Sequence, residues 1–215
     1  MLPVLHHPDY DAVSVPEGHR FPMRKYSMLA ERLRAAPFAA KLDWRSPDPA
    51  RREQLIRAHD PAYVDGVLTQ TLDPRLQRRI GFPVTPDVTR RSLAACGGTI
   101  LACRLALAHG RAVNLAGGSH HASREGGAGF CVFNDVAVAA LDLLAEGLVD
   151  RILVVDCDVH QGDGTARIFA DDPRVFTMSV HCADNWPIEK PPSDLDVALP
   201  KGADDRSYLG ALHSA

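Results

Sequence analysis

Residues 152–160 read Ile152-Leu153-Val154-Val155-Asp156-Cys157-Asp158-Val159-His160, an apolar run that ends in two acids and a histidine. A continuous apolar run of this kind is typical of a strand that is buried on both faces of a parallel sheet. In an extended chain, residues at i, i+2 and i+4 point to one side, so Asp156, Asp158 and His160 share a face. Oxygen and nitrogen donors without thiolate suit zinc, or another divalent first-row metal such as Fe²⁺. The stretch therefore predicts a strand that ends at a metal site.

A second stretch places two adjacent imidazoles after another apolar run. Ala112–Ala116 leads into Gly117-Gly118-Ser119-His120-His121, and the segment Glu125–Phe130 that follows is rich in glycine. Glycine lets the backbone approach a ligand closely and adopt a positive φ. Two imidazoles beside a metal can divide the base and acid roles, each held by a buried carboxylate. We expect Asp156 and Asp163 to be those carboxylates.

The stretch Asp156–Asp163, with its three acids, has other interpretations, but its neighbouring residues argue against them. A calcium loop requires Gly at its sixth position and Glu at its twelfth, where Gln161 and Arg167 stand. A phosphotransferase of the haloacid-dehalogenase kind also has Asp-x-Asp after its first strand, but it usually carries Thr or Val in place of His160. Helix capping suits Asp163, but three acids and a histidine within eight positions are too concentrated for capping alone. Phe130 is equally compatible with a core position and a pocket wall.

Composition narrows the class of protein. The 215 residues carry a net charge of −3, which gives no electrostatic basis for binding nucleic acid. The longest unbroken apolar stretch, Val136–Leu141, is too short to span a membrane, and no signal peptide is evident. Five cysteines form no CxxC motif, which favours reduced thiols and predicts a cytoplasmic protein.

Apolar periodicity and turn residues predict alternating helices and strands, an α/β fold with a mostly parallel sheet. Ligands bind at the carboxyl ends of such strands, so the turns at His120-His121, Asp158–His160 and Ser179–His181 are expected to converge on one crevice. The segment Trp186–Pro192 is expected to be a surface loop. The predicted helices are Met23–Ala35, Pro61–Thr69, Thr85–Gly110 and Asn134–Gly147, and the predicted strands are Ala112–Ala116, Ile152–Asp156 and Val175–Val180.

Three motifs together resemble those of the zinc-dependent histone deacetylase superfamily, and shorter matches resemble its class IV and bacterial members. The motifs are Gly117-Gly118-x-His120-His121-Ala122, Gly129-Phe130-Cys131-x-Phe133-Asn134-Asp135 and Asp156-x-Asp158-x-His160-x-Gly162-Asp163-Gly164-Thr165. The resemblance implies an arginase-like three-layer α/β/α fold over a single domain, residues 1–215.

The resemblance also implies roles for individual residues. Asp158 and His160 would bind zinc, with Asp156 and Asp163 behind His120 and His121 as the catalytic group. Gly129 and Phe130 would wall a narrow tunnel for an acyl-lysine-like chain. Oxygens of Ser179 and Val180 would help to hold a structural potassium ion.

The chain departs from the family pattern at its end. Family members continue past the equivalent of Tyr208 and supply a third zinc ligand, an Asp, and a Tyr that hydrogen-bonds the reacting carbonyl. This sequence stops at Ala215. We therefore expect the C-terminal part of the family domain to be missing, with an apolar sheet edge left uncovered and weak activity in the chain alone.

The resemblance implies a metal-dependent amide hydrolase that removes acetyl or acyl groups from lysine or from a small acylated amine. One alternative is an arginase-like ureohydrolase with two manganese ions. Another is a binding module that keeps the pocket without turnover. The sequence predicts neither the physiological substrate nor the oligomeric state.

Overall fold

The computed structural model describes residues 1–13, 19 and 21–215. Within these residues the chain forms six short strands: β1 Leu2–Leu5, β2 Leu42–Arg45, β3 Val113–Asn114, β4 Ile152–Asp156, β5 Val175–Cys182 and β6 Leu195–Leu199. The same residues form eight α-helices: α1 Lys25–Arg34, α2 Arg52–Ala58, α3 Pro61–Leu68, α4 Pro74–Ile80, α5 Pro86–His109, α6 Asp135–Ala145, α7 Asp163–Phe169 and α8 Asp205–Ser214. Two short 3₁₀ turns, Pro8–Asp11 and Ala39–Lys41, complete the described elements.

The strands form two three-stranded sheets, in the orders β2-β1-β3 and β4-β5-β6, and every pairing between these six strands is parallel. In the second sheet Asp156 at the end of β4 lies opposite Ser179 of β5. The strand at Ile152–Asp156 has the predicted bounds. The strand predicted at Ala112–Ala116 is reduced to two residues, because the chain turns away at Leu115 to enter the double-glycine turn.

Helix α5 is the long central helix, and its ends follow from its sequence. The Thr85 side chain accepts a hydrogen bond from the Val88 N–H, Pro86 opens the first turn, and Gly110 ends the helix with φ of 83°. Its first half is buried nearly all round and packs on α6. Its last turn, which includes Ala108, is exposed.

Helix α5 is also long and apolar enough, by length and composition alone, to cross a membrane. The core helix of a globular domain passes the same test, and 44% of the most apolar window of α5 is buried inside the fold.

Strand β4 is buried on one face only, so the prediction of burial on both faces is wrong. Ile152 and Val154 pack against the core that contains Val175. On the opposite face Leu153 is 62% exposed and Val155 is 47% exposed. Phe176, the cross-strand neighbour of Leu153, is 46% exposed. The described elements pack on the first face alone, which leaves an apolar strip open to solvent on the second.

Candidate active site

The two histidines are held by a tight turn after β3. Gly117 and Gly118 adopt φ values of 140° and 72°, and the Gly118 and Ser119 N–H groups donate to the buried carboxylate of Asp135. A Cβ at Gly117 would lie 2.5 Å from Asp135 Oδ2, so the turn requires glycine. Asp135 opens α6 and therefore locks this turn to that helix. Asp135 was predicted only as part of a family motif at the start of a helix, and its bonds to this turn were not.

Each histidine is paired through its Nδ1 atom with a separate carboxylate, as predicted. His120 Nδ1 lies 2.5 Å from Asp156 Oδ2, and His121 Nδ1 lies 2.6 Å from Asp163 Oδ1. The imidazoles are buried, and their ring centroids are 4.0 Å apart. Because a carboxylate holds Nδ1 of each ring, Nε2 is the nitrogen available to a ligand in the cavity that both rings line.

The surroundings move the pKa values of the two histidines in opposite directions. Burial works to lower the pKa of His120, but its hydrogen bond to Asp156 and the charges of Asp156, Asp158 and Asp163 raise it overall. Burial lowers the pKa of His121, and the neighbouring His120 and His160 lower it further against the effect of Asp163. Paired titratable groups with separated pKa values are typical of acid and base roles.

Asp158 and His160 follow β4 and lie beside the histidine pair. Their side chains are 51% and 37% exposed, and His160 Nδ1 lies 3.0 Å from Asp158 Oδ1. Asp158 Oδ1 also accepts the His160 N–H and lies 3.9 Å from His120 Nε2. An accessible carboxylate and imidazole this close together fit the donor chemistry and spacing of two zinc ligands.

A complete set of ligands is not present in the described part of the chain. Residues 1–13, 19 and 21–215 contain no group of three or more His, Cys, Asp or Glu side chains placed to hold a metal. The other two acids of the motif, Asp156 and Asp163, are engaged by the histidines. The residues therefore fit zinc as two of its ligands and supply no third.

The histidines, Asp158 and His160 line one cavity of about 220 Å³. Gly129 and Phe130 form part of its wall, where Phe130 adopts φ of 68° and stacks on Phe82 with ring centroids 5.9 Å apart. Phe130 also packs against the core, so both interpretations of this residue hold. A Cβ at Gly129 would lie 2.8 Å from the His121 ring, so glycine is required for this close approach.

Trp186 belongs to the cavity, although the sequence indicated only a surface loop at this position. Its ring lies edge-on to His121 with centroids 4.5 Å apart, and 6.2 Å from the His160 ring. Phe21, Lys25, Tyr26 and Arg91 also line the cavity without having been predicted as site residues. These residues come from segments far from the histidines in sequence, so no local pattern indicates them.

The third predicted turn opens on a different cavity, so the three turns do not converge on one crevice. Val180 and His181 line a space of about 440 Å³ with Cys157, Cys182 and Tyr208, and among the described residues Asp158 alone lines both cavities. Ser179 Oγ lies 3.0 Å from His181 Nδ1. Binding of potassium near Ser179 and Val180 stays a prediction. All five cysteines are free.

Comparison with known proteins gives a consistent picture. The family model for the histone deacetylase domain matches residues 19–215. An uncharacterized protein of Picosynechococcus sp. is 50% identical over 98% of this chain and 70% of its own length. Histone deacetylase 2 of Arabidopsis thaliana is 25% identical over 96% of this chain and 56% of its own length.

A solved structure of an HDAC homolog complexed with SAHA shares the fold, with a TM-score of 0.81 and 26% identity. The match covers 98% of this chain and 62% of that one. The predicted arginase/deacetylase-like α/β fold is thereby confirmed. The chain spans little more than half the length of several of these relatives. With the family model matched along nearly its whole length, this chain belongs to the histone deacetylase family.

Proposed function

We propose that this chain carries the site of a zinc-dependent deacylase that hydrolyses the amide bond of an acylated lysine or a small acylated amine. The main support is one arrangement: two imidazoles, each held by its own carboxylate at 2.5 and 2.6 Å, share a cavity with Asp158 and His160. Family membership supports the same class of reaction.

Asp158 and His160 are the residues that would hold zinc, which would supply a Lewis acid for the amide carbonyl and activate water. His121, whose pKa is lowered, is neutral near pH 7 and accepts a proton from the attacking water at Nε2. His120, whose pKa is raised, is the better suited of the two to give a proton to the departing amine. Asp156 and Asp163 keep each ring oriented and fix Nδ1 as the protonated nitrogen.

The cavity wall suits an aliphatic acyl-lysine chain. Gly129 leaves room beside the His121 ring, while Phe130, Trp186 and Phe21 present aromatic surface to the space between them. An apolar lining with a few polar groups at one end excludes water and orients a substrate for attack.

An assay of amide hydrolysis tests the proposed function. Zinc-loaded chain is incubated with an acetyl-lysine peptide or a small acetylated amine, and released acetate is measured. We expect zinc-dependent turnover that falls by about 10²–10⁴ in His121→Ala, the range for loss of a general acid–base group. His109→Ala, an exposed histidine at the end of α5, is the matched control and should leave turnover unchanged. Turnover that does not depend on His121, or that needs no metal, would contradict the proposal.

A binding module without turnover is the second candidate, because the described residues supply only two of the zinc ligands. It predicts that acyl-lysine peptides bind the zinc-loaded chain without acetate release. Calorimetry beside the acetate assay separates the two candidates. The arginase-like alternative has no comparable support, since Asp156 and Asp163 are engaged by imidazoles rather than left for a second metal.

A further inference from the structure

A groove of about 440 Å³ lies outside the candidate catalytic cavity and has no role in the proposed hydrolysis. One side is helix α4, which contributes Gln77 and Arg78, and the other is the turn 81–83 that follows it. Phe82 lines this groove and stacks on Phe130, which lines the catalytic cavity. The two stacked rings, with centroids 5.9 Å apart, therefore stand between the groove and the cavity.

Hydrogen bonds between α4 and the turn hold the groove in shape. The Gln77 side chain donates to the Leu72 carbonyl at 2.9 Å and accepts the Val84 N–H at 3.0 Å. The Gly81 N–H donates to the Gln77 carbonyl at 3.0 Å. Gly81 adopts φ of 100°, and a Cβ there would lie 2.8 Å from the Phe130 ring. The turn is thus fixed to the helix, and a ligand finds the groove already formed.

Helix α4 carries three arginines on its solvent side. Arg75 precedes Arg78 and Arg79 by three and four positions, the spacing that places side chains on one face of a helix. All three are exposed, whereas Leu76 and Ile80 pack against the core. In the described part of the chain, no Asp or Glu forms an ion pair with any of the three.

The acids that flank this segment in sequence do not neutralise it. Asp73 caps α4 and accepts the Arg75 N–H at 2.6 Å, which leaves one acid against three arginines. Asp87, after the turn, is paired with Arg90 of its own helix. The rim of the groove therefore keeps a net positive charge.

A guanidinium binds a carboxylate through two parallel N–H bonds, and the proline and phenylalanine surfaces in the groove suit the apolar parts of an extended peptide. We propose that this groove binds an acidic stretch of the polypeptide that carries the acyl-lysine. Acidic peptides, rather than small acylated amines, are then the preferred substrates. About three extended residues, at roughly 3.3 Å each, would span the distance across the two stacked rings. This inference rests on the proposed deacylase function, because the acyl-lysine of the same peptide must enter the catalytic cavity.

An acidic peptide fits the charge better than a nucleic acid does. The positive charge is confined to one helix of seven residues, and the whole chain has a net charge of −3. Nucleic-acid surfaces carry a larger basic patch that follows the phosphate backbone. Three arginines match one or two carboxylates.

Fluorescence anisotropy with the full zinc-loaded chain at low salt tests the groove. Three labelled peptides of equal length carry acetyl-lysine and, three positions away on both sides, Asp, Ala or Lys. The variants are Arg78→Gln, Arg78→Glu and, as a matched control, Arg32→Gln, which removes an exposed arginine from the last turn of α1. Thermal unfolding of each variant checks that it is folded.

We expect wild type to bind the Asp peptide about three- to fivefold more tightly than the Ala peptide, the upper range for exposed ion pairs, and the Lys peptide most weakly. Arg78→Gln should reduce the Asp preference to about twofold or less, and Arg32→Gln should keep it. Arg78→Glu should make the Lys peptide the tightest ligand, a reversal that a loss of structure cannot produce. Salt at 0.5 M should remove the preference, because exposed charges are then screened.

Equal affinities for the three peptides in wild type would overturn the proposal, as would an Asp preference that is unchanged in a folded Arg78→Gln. Tighter, Arg78-dependent binding of a single-stranded DNA oligonucleotide would overturn it in favour of nucleic acid. Failure of the proposed function gives a different pattern. Peptides with Ala in place of acetyl-lysine would then bind as tightly as the acetylated ones, while the Arg78-dependent preference for Asp would remain.

Discussion

Gly162 packs directly against the carboxylate of Asp156, so closely that a Cβ at this position would lie 2.4 Å from Asp156 Oδ2 and 3.3 Å from His120 Nδ1. This glycine, the N-cap residue just before α7, therefore allows the carboxylate to reach the imidazole. Its φ of −74° is accessible to any residue, so the requirement is for space rather than for backbone freedom.

Gly162→Ala should displace the Asp156 carboxylate and lower the pKa of His120, because it weakens the hydrogen bond and charge that raise this pKa. Asp156→Asn should lower it further. Imidazole NMR signals followed through a pH titration give the pKa. Gly210→Ala, where an added Cβ meets nothing within 4 Å, is the control. An unchanged His120 pKa in Asp156→Asn would show that the carboxylate does not tune this histidine.

Gly129→Ala should destabilise the fold and narrow the cavity. The added Cβ would lie 2.8 Å from His121 and 2.9 Å from Trp186, at φ of 54°. Gly147→Ala is a matched control with φ of 65° and open space around the added Cβ. In both variants the positive φ should lower the free energy of unfolding by about 1 kcal/mol. Overpacking should lower it by about 1–3 kcal/mol more in Gly129→Ala. Urea unfolding measures the difference, and equal losses would rule out the close contact.

The buried His59 should make the free energy of unfolding decrease as the pH is lowered. It is fully buried, where Nδ1 lies 2.8 Å from the Ser123 carbonyl and Nε2 accepts the Asn134 N–H. Burial, the main cause, lowers the pKa of His59 from 6.5 to about 4. The unfolded chain therefore binds a proton at higher pH than the folded chain does. The free energy of unfolding should drop as pH falls from about 6.5 to 4, by about 3 kcal/mol in total.

Urea unfolding at pH 7 and at pH 4.5 tests this dependence. His59→Gln should reduce the difference in the free energy of unfolding between pH 7 and pH 4.5. His109→Gln should preserve that difference. The same pH dependence in all three proteins would mean that other groups cause the acid sensitivity.

The open face of β4 should promote self-association without contributing to stability. Leu153→Thr with Phe176→Thr replaces apolar side chains that are 62% and 46% exposed, and Thr is well tolerated in strands. We expect the free energy of unfolding to change by no more than about 0.5 kcal/mol, with less association in sedimentation velocity. Val154→Thr, on the opposite face of the same strand, should cost about 1 kcal/mol or more. Stronger association in the double variant would contradict this role.

The sequence predicted the parts of the site that follow one another along the chain. Strand β4 and the turn at Asp158–His160 were located because an apolar run and its polar end are adjacent. The pairing of His120 with Asp156 could be predicted because buried polar groups are nearly always hydrogen-bonded. Strand β6 was missed because Asp196 interrupts its apolar pattern.

Other features depend on tertiary packing and have no local signal. Trp186 reaches His121 from a segment 65 positions away in the chain. Arg91 looks like an ordinary exposed charge in a helix, and only the packing of α5 near Tyr26 buries it. The exposed face of β4 was also not evident from the strand itself, because burial on both faces depends on elements beyond the strand.

Zinc content at equilibrium is the decisive measurement, because the proposed chemistry depends on a metal held by Asp158 and His160. The chain is dialysed against buffered zinc and the metal bound per chain is measured for wild type, Asp158→Asn, His160→Gln and the controls Asp194→Asn and His109→Gln. We expect about one zinc per wild-type chain, an affinity at least about tenfold weaker in Asp158→Asn and His160→Gln, and wild-type zinc binding in both controls. Equal zinc binding in all five proteins would contradict this expectation.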